Sequence, residues 1–279
     1  MLHALLFALA AMTATPDVAQ VEKAAEPTKD NSELATFFDA FSKKRDQIRT
    51  LEAQFVQSIV SQGEAVEAHG TLVYMNPRRI LFRYDEKQGG TTYLIDKRRA
   101  YQYDPDIKQA QVFDLTDNAQ TEVFFLGFDA NVDVLTQAYD LSLFAPDSKA
   151  APGATQGLSI RPKKELPSTA EDLSRDTQAA PFQEVKLYLR EADYLPVRIE
   201  ILNEDKSHTS INVSDFEINK ELDPARAEIA VPEGTKVYAD DQLIETIGSG
   251  GAVLPRPVPT ASEPVIQSTE LPPPGAAKP

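Results

Sequence analysis

The chain has 279 residues, a formal net charge of −15, and neither cysteine nor tryptophan. The absence of cysteine excludes disulfides, thiolate metal sites, a cysteine nucleophile and an N-terminal lipid-modified cysteine. The acidic charge argues against a nucleic-acid partner, because neutralising phosphates requires a basic surface.

The two ends of the chain differ in composition from its centre. Residues 2–11 form a short apolar run followed by small residues, which is typical of a signal peptide and too short to span a bilayer. We therefore expect a signal peptide over 1–19, with a miscalled start codon or a buried helix as the alternatives, and a flexible tether over 20–31. Residues 248–279 are rich in glycine and proline and predict a disordered tail. The folded domain is expected at 32–247, in an exported protein without a membrane anchor.

The folded part opens with a predicted amphipathic helix behind a Ser32 cap. Its apolar stripe has helical spacing and consists of Leu34, Phe37, Phe38, Phe41, Ile48 and Leu51. The opposite, solvated face is expected to carry Lys43, Lys44, Arg45 and Asp46. Residues 53–60 then alternate in polarity and predict a first strand, which ends at a turn at Gln62 and Gly63.

The segment 70–112 reads as short antiparallel strands broken at Asn76–Pro77, at 87–90 and at Asp104–Pro105. Alternate positions on one sheet face hold Leu72, Tyr74, Ile80, Phe82 and Tyr84. The opposite positions are also partly apolar, with Val73, Met75 and Leu81. So rich an aromatic face needs an apolar cover, which a helix, a second sheet or a ligand could supply.

The second half of the chain continues the pattern. A short helix is predicted over 117–127, ending in the apolar run Val123, Phe124, Phe125 and Leu126. A helical turn at 132–138 and a strand at 140–144 precede a proline-rich loop insertion near 145–181, which holds one strand at 157–161. Strands at 183–190, 195–202 and 207–218 then form a meander with one apolar and one polar side.

These elements predict a mainly β (α+β) fold with one long, mostly antiparallel sheet of about ten strands and two or three helices on one face. Sheets of that size tend to curl. A curled sheet under phenylalanine-rich helices encloses either an apolar core or an apolar cavity.

The residues offer little for catalysis. Beyond the predicted signal peptide, His69 and His208 are the histidines, and neither has a further ligand at metal-binding spacing. Paired carboxylates such as Asp104 and Asp106 fall in turns, and no phosphate-binding glycine loop is present. A serine–histidine–aspartate site is not excluded by spacing, but no Gly-x-Ser-x-Gly elbow occurs. We expect no enzyme, no cofactor and no metal.

Two basic clusters stand out against the acidic total. The first comprises Arg78, Arg79 and Arg83, and the second is 97–99. Either they are solvated turn charges, or they form a rim that docks a negatively charged partner or a lipid headgroup.

An ordered set of short motifs resembles the periplasmic outer-membrane lipoprotein carrier (LolA) family from about Leu34 to Asp241. The motifs are Phe-Val-Gln at 55–57, Gly-Thr-Leu-Val-Tyr at 70–74, Pro77, Phe-Arg-Tyr at 82–84, Tyr-Gln-Tyr-Asp-Pro at 101–105 and Val-Pro-Glu-Gly-Thr-Lys-Val at 231–237. The resemblance implies an incomplete barrel of antiparallel strands closed by a helical lid, in the periplasm.

The resemblance also implies a monomeric carrier that takes acylated lipoproteins from an inner-membrane releasing transporter to an outer-membrane acceptor. Combined with the apolar pattern, it places a lipid-binding cavity at Phe37, Phe38, Phe41, Leu72, Tyr74, Ile80, Phe82, Tyr84, Tyr101 and Tyr103. The lid helix would carry Val123, Phe124, Phe125 and Leu126. The partner-docking rim would hold Arg78, Arg79 and Arg83.

The chain departs from the family pattern at two turns. Asn76 falls where the family places a lid-latching arginine, and the arginines come after the proline instead. The glycine turn expected before Tyr101 is replaced by basic residues at 97–99. The alternatives are a carrier of another lipid, or a periplasmic sensing module of the type that regulates an anti-sigma factor.

Overall fold

The computed structural model describes residues 29–97, 99–115, 132–163, 182–239 and 241–255. The predicted signal peptide and nearly all of the tether lie outside these residues. So do the predicted lid helix with Val123, Phe124, Phe125 and Leu126, and the second half of the insertion.

Two α-helices lie in the described part of the chain, α1 over Lys29–Arg45 and α2 over Val132–Ala138. The first ends earlier than its apolar stripe predicted, since Ile48 lies in the following turn and Leu51 in the first strand. Three consecutive basic residues, 43–45, form its last turn and suit the negative end of the helix dipole. The N–H of Ile48 donates to the carbonyl of Arg45 at 2.8 Å, which turns the chain toward the sheet.

Fifteen strands are described, more than the ten or so expected. They are β1 (Thr50–Ser61), β2 (Glu64–Met75), β3 (Arg79–Tyr84), β4 (Thr92–Asp96), β5 (Arg99–Asp104), β6 (Gln109–Asp114), β7 (Tyr139–Phe144), β8 (Gln156–Pro162), β9 (Phe182–Leu189), β10 (Pro196–Asn203), β11 (His208–Ile218), β12 (Ile229–Val231), β13 (Lys236–Ala239), β14 (Gln242–Thr246) and β15 (Ala252–Leu254). Short 3-10 turns occupy Glu86–Gln88 and Pro224–Ala227. The predicted breaks at Gln62–Gly63, Asn76–Pro77 and Asp104–Pro105 all separate strands.

Thirteen of these strands form one sheet in the order β14-β13-β6-β5-β4-β3-β2-β1-β11-β10-β9-β8-β7. All neighbours are antiparallel except β13 and β6, which are parallel. The prediction of a mainly β protein with a large antiparallel sheet is confirmed. Within the described residues the order begins at β14 and ends at β7, so the sheet is not a closed barrel.

The face of this sheet that contacts α1 is here called the helical face. Its apolar side chains form two adjoining clusters, one over β1–β5 and β11, the other over β7–β9 with both helices. Ile199 of β10 packs against both clusters and joins them. The predicted set Leu72, Tyr74, Ile80, Phe82 and Tyr84 lies together on this face, as the alternation required.

The opposite face, here called the C-terminal face, has a core of its own. Val73, Leu81 and Leu94 pack there against the end of the chain. Tyr101 and Tyr103 also belong to this core and not to the helical face. The prediction that grouped them with Phe82 is wrong because β4 pairs Leu94 with Tyr101, which sets the odd-numbered residues of β5 on the far side.

The folded part extends beyond Ile247, where the sequence predicted a disordered tail. Residues 252–254 form β15, which pairs with β12 in a separate two-stranded sheet. Leu254 is completely buried in the core of the C-terminal face. Burial of this side chain offsets the ordering entropy of a segment whose composition alone favours disorder.

Candidate functional site

Four aromatic rings crowd the helical face near the β1–β2 pair. The Phe55 ring makes edge contacts with Phe82 and Tyr84, with centroids 5.7 and 5.1 Å apart, and Tyr84 reaches Tyr93 at 5.9 Å. Gly70 lies opposite both Phe55 and Tyr84 in the strand register. A Cβ at Gly70 would fall 2.6 Å from the Phe55 ring, so the glycine leaves the space that the ring occupies.

A buried polar contact fixes the orientation of this aromatic group. The Tyr84 hydroxyl donates a hydrogen bond to Oε1 of Gln57, a buried side chain of β1. Burial raises the pKa of Tyr84 well above its ordinary value and raises that of Tyr93 to about 12. Both hydroxyls are therefore neutral at physiological pH and offer hydrogen bonds, not charge.

Several apolar side chains that pack against the core of this face are only partly buried. Fully enclosed residues such as Leu72, Tyr74 and Ile80 form its floor. The partly buried ones that pack against this floor are Phe82, Tyr84, Phe113, Leu115, Ile199, Phe216 and Ile218. They provide apolar surface that a ligand or a mobile cover could bury.

The phenylalanines of α1 lie over the other half of the helical face. Phe37, Phe38 and Phe41 contact one another, and Phe37 and Phe41 also contact Tyr194 in the turn between β9 and β10, with centroids at 5.4 and 6.1 Å. These rings pack on Leu158, Ile160 and Leu187. The two groups of predicted cavity residues thus share one face but belong to different clusters.

A cavity of about 650 Å³ lies between α1, α2 and the edge strand β7. That volume falls within the range of ligand pockets, about 300–1,000 Å³. Its lining mixes apolar and charged side chains: Leu34, Phe38, Val132, Tyr139 and Leu141 with Asp39, Asp133, Asp140 and Lys163. Of the predicted cavity residues, Phe38 lines this space, whereas Phe82 and Tyr84 lie on the other half of the face.

Two of the three arginines of the predicted docking rim, Arg79 and Arg83, contact other residues of the protein. Nε of Arg79 donates to Oδ1 of Asp96 at 2.9 Å in the neighbouring strand. Arg83 lies half-buried against the C-terminal segment, where its Nη2 donates to the carbonyl of Glu228 at 3.2 Å. Burial and the nearby Arg226 lower the pKa of Arg83. Arg78 occupies the turn between β2 and β3, and a docking role for this end of the sheet stays a prediction.

The sequence placed Arg45 on the solvated face of the first helix, and the structure contradicts this. Only 3 % of Arg45 is exposed, and its guanidinium lies over the Phe41 ring at 4.8 Å from the centroid. The spacing could have revealed it, since Arg45 follows Phe41 by four residues and so continues the apolar stripe. The helical period places this position on the buried face. Arg45 was nevertheless predicted to be solvated because its side chain is charged.

The described ranges contain no cluster of three or more histidine, aspartate or glutamate side chains suited to hold a metal ion. Within the same ranges, neither helix has the length and apolar character to cross a membrane.

The model of the outer membrane lipoprotein carrier protein LolA family matches residues 46–228, which is well over half of the chain. The chain belongs to the LolA family. The match begins just before β1 and ends just before β12, so it takes in the aromatic group at Phe55 and Phe82 together with most of the large sheet. The sequence resemblance stated above is confirmed. No curated protein matches the chain.

Several solved structures are distantly similar. A DUF1329 family protein from Desulfovibrio piger is 15% identical with a TM-score of 0.41, covering 73% of this chain and 98% of that one. A LolA superfamily protein from Nitrosomonas europaea is 12% identical with a TM-score of 0.33, covering 67% and 96%. The MucA/MucB complex from Pseudomonas aeruginosa gives 13% identity and a TM-score of 0.38, covering 70% and 60%. At these TM-scores the likenesses carry no further argument.

Proposed function

We propose that this LolA family member is a periplasmic carrier that binds the acyl chains of lipoproteins on its helical face and moves them from the inner to the outer membrane. The observation that carries the proposal is the set of partly buried apolar side chains, including Phe82, Tyr84 and Phe216, that pack against a fully buried floor. A carrier of this kind needs exchangeable apolar surface and no catalytic group.

The energetics suit such a role. Burying one methylene group contributes about 0.8 kcal/mol, so an acyl chain that covers these side chains gains enough to bind even after the cost of ordering it. The neutral hydroxyls of Tyr84 and Tyr93 place no charge in the apolar region. An incomplete barrel with a lid over its open side would give the acyl chain a site without water. Movement of the lid would open this site for loading and release.

The decisive experiment is to purify the mature protein under native conditions and extract it for bound lipid. The same preparation is then tested for release of an acylated lipoprotein from inner-membrane vesicles, and for its delivery to outer-membrane vesicles. We expect co-purified acyl lipid together with release into the soluble fraction. Absence of both would overturn the proposal.

Phe82→Glu tests the binding face directly. Phe82 is only partly buried, so a carboxylate there can reach water, and we expect a loss of roughly 1–3 kcal/mol in the free energy of unfolding with the fold retained. An acyl chain cannot cover an ionised carboxylate cheaply, so acyl binding should fall below detection. Dye displacement measures the binding, and urea unfolding measures the stability.

Two control substitutions show whether Phe82→Glu acts on ligand binding or on folding. Ile107→Glu alters an apolar side chain that is 64% exposed in the turn between β5 and β6, and it should change neither binding nor stability. Leu81→Glu buries a charge in the core of the C-terminal face and should unfold the protein. If Phe82→Glu behaves like Leu81→Glu, Phe82 is ordinary core and not a binding residue.

A further inference from the structure

Three neighbouring turns at one end of the large sheet carry basic side chains. They are the turn before β1 with Arg49, the β2–β3 turn with Arg78 and the β4–β5 turn with Lys97. Main-chain hydrogen bonds hold these turns side by side. The N–H of Asn76 donates to the carbonyl of Arg49 at 2.8 Å, and the N–H of Lys97 donates to the carbonyl of Arg78 at 2.9 Å. This surface is here called the basic rim and is defined by Arg49, Arg78 and Lys97.

The basic rim carries an excess of positive charge. Its nearest carboxylates lie in two ion pairs, Arg79 with Asp96 and Arg99 with Asp114, each at 2.9 Å. These pairs are neutral as a whole, so the charges of the three rim residues are added to them. On one side the rim is bounded by residues 217–223, which carry three carboxylates and one lysine.

The opposite end of the same strands has the opposite sign. The turns there hold seven carboxylates and three lysines, and they lie at 61–64, 85–91, 104–109 and 203–207. At the end with the basic rim, nine basic side chains face two carboxylates over 43–49, 76–79 and 96–99. The charges therefore form a dipole along the strands. A protein with a net charge of −15 consequently approaches an anionic surface with the basic rim foremost.

Partly buried apolar side chains of the helical face lie at the same end as the basic rim. Phe216 and Ile218 belong to the last three residues of β11, and Phe113 and Leu115 lie at the end of β6. The end of β11 pairs with the start of β1, directly after Arg49. Cations beside apolar side chains suit the surface of a bilayer, where headgroup phosphates attract basic residues and acyl chains lie directly beneath.

We infer that the basic rim docks the protein on a bilayer surface that contains anionic phospholipids, with Arg49 and Lys97 toward the headgroup phosphates. The inference rests on the proposed acyl-carrier function and adds to it the surface at which the acyl chain is loaded or released. A few basic side chains attract such a surface only weakly, and the acidic remainder of the molecule is repelled by it. Docking is therefore reversible, as a carrier requires.

Vesicle flotation tests this docking surface. Mature wild-type protein is mixed with vesicles of phosphatidylcholine alone, or of phosphatidylcholine with about 30 mol% of the anionic lipid phosphatidylglycerol. The mixtures are prepared at roughly 20 mM and roughly 300 mM salt, because salt screens exposed charges. We expect the protein to float with the anionic vesicles at low salt. It should not float with them at high salt, nor with the neutral vesicles at either salt concentration.

The double substitution Arg49→Glu with Lys97→Glu reverses two charges of the basic rim. Both side chains are exposed, so the fold should be retained, with the midpoint of urea unfolding unchanged. We expect binding to the anionic vesicles to weaken by at least about tenfold, because each basic side chain near such a surface adds to the attraction.

The double substitution Lys87→Glu with Lys108→Glu is the matched control. It changes the net charge by the same amount at the opposite end of the strands, on side chains that are also exposed. Lys108 has a φ of 51° and Lys97 a φ of 54°, so the two substitutions meet the same backbone conformation. The control variant should bind the anionic vesicles within about threefold of the wild-type protein, since its altered charges lie away from the bilayer.

Equal losses in the two double variants would overturn the inference, because net charge and not the basic rim would then govern binding. Equal binding to neutral and anionic vesicles, or no binding of the wild-type protein to either, would also overturn it. If the wild-type protein binds neither but the rim variant alone fails to release lipoprotein from inner-membrane vesicles, the rim docks an acidic protein surface instead. The acyl-carrier proposal is tested separately, by co-purified acyl lipid and by lipoprotein release, neither of which flotation measures.

Discussion

At the scale of single residues, the helical face depends on small and polar side chains as much as on its aromatic ones. Gly70 makes room for the Phe55 ring, and Gln57 accepts from Tyr84 within the same group. Neither residue is apolar, so neither contributes to the hydrophobic alternation from which this face was predicted. Gly70 and Gln57 determine how the aromatic rings are oriented. The hydrophobic alternation determines only that the rings lie on the helical face.

Gly70→Ala should destabilise the protein. The added Cβ would lie 2.3 Å from the carbonyl oxygen of Arg83 and 2.6 Å from the Phe55 ring, and the first of these is backbone that cannot move alone. We expect a loss of about 1–3 kcal/mol in the free energy of unfolding, typical of overpacking in a core. Gly248→Ala is the control, because a Cβ there meets nothing within 4 Å. Equal unfolding midpoints for the two variants in urea would contradict this account of Gly70.

At the scale of elements, the C-terminal segment covers the second apolar face of the sheet. The 3-10 turn at Pro224–Ala227 and strands β12 and β15 lie on Val73, Leu81 and Leu94. An ion pair between Arg226 and Glu52 of β1 fixes this turn at the sheet. The strands β2–β5 are therefore buried on both sides, which explains why Val73, Met75 and Leu81 are apolar although they point away from α1. Substitutions on the C-terminal face are consequently expected to leave the helical face unchanged, and the reverse.

Leu254→Ala tests the role of this segment. Leu254 is fully buried, and the substitution should lower the free energy of unfolding by roughly 2–5 kcal/mol. Val253→Ala, in the same strand but 47% exposed, should change it by less than about 0.5 kcal/mol. Neither change should alter ligand binding in a folded protein, since both lie away from the helical face. A small effect of Leu254→Ala in thermal unfolding would mean that β15 adds little to the core.

At the scale of the whole molecule, the C-terminal face divides into two halves of different character. Over β2–β6 it is apolar and covered, whereas over β8–β10 it carries ion pairs within and between strands. Glu184 accepts from Ser159 at 2.7 Å and from Arg161 at 2.8 Å, and Glu200 accepts from Arg198 and Tyr188, each at 2.8 Å. One half of the sheet thus has two buried sides, and the other has one apolar and one charged side.

The lowered pKa values of three carboxylates predict that the protein loses stability in acid. Burial opposes ionisation of Glu184, Glu200 and Asp193, but their hydrogen bonds and arginine neighbours outweigh it and hold each pKa below the ordinary value of 4.5 or 3.8. At pH values between the lowered and the ordinary pKa values, the unfolded chain binds more protons than the folded one. The stabilisation is therefore complete above the ordinary values and is lost as the pH falls through the lowered ones. Urea unfolding between about pH 3 and pH 6 measures the decline, and Glu200→Gln should make it shallower. An unchanged slope in that variant would contradict the assignment.

The sequence by itself determined the mainly β fold, most strand positions, the family and one apolar face, because hydrophobic alternation and turn residues act locally along the chain. The apolar strand residues Tyr74, Ile80 and Phe82 fall together as their spacing required. The helical period already indicated that Arg45 belongs to the buried stripe of the first helix, although its charge suggested the opposite. The tertiary structure alone decided that Tyr101 and Tyr103 turn to the other side and that Leu254 is core. Strand register and the cover of the second face depend on partners distant in sequence, so no local pattern could specify them.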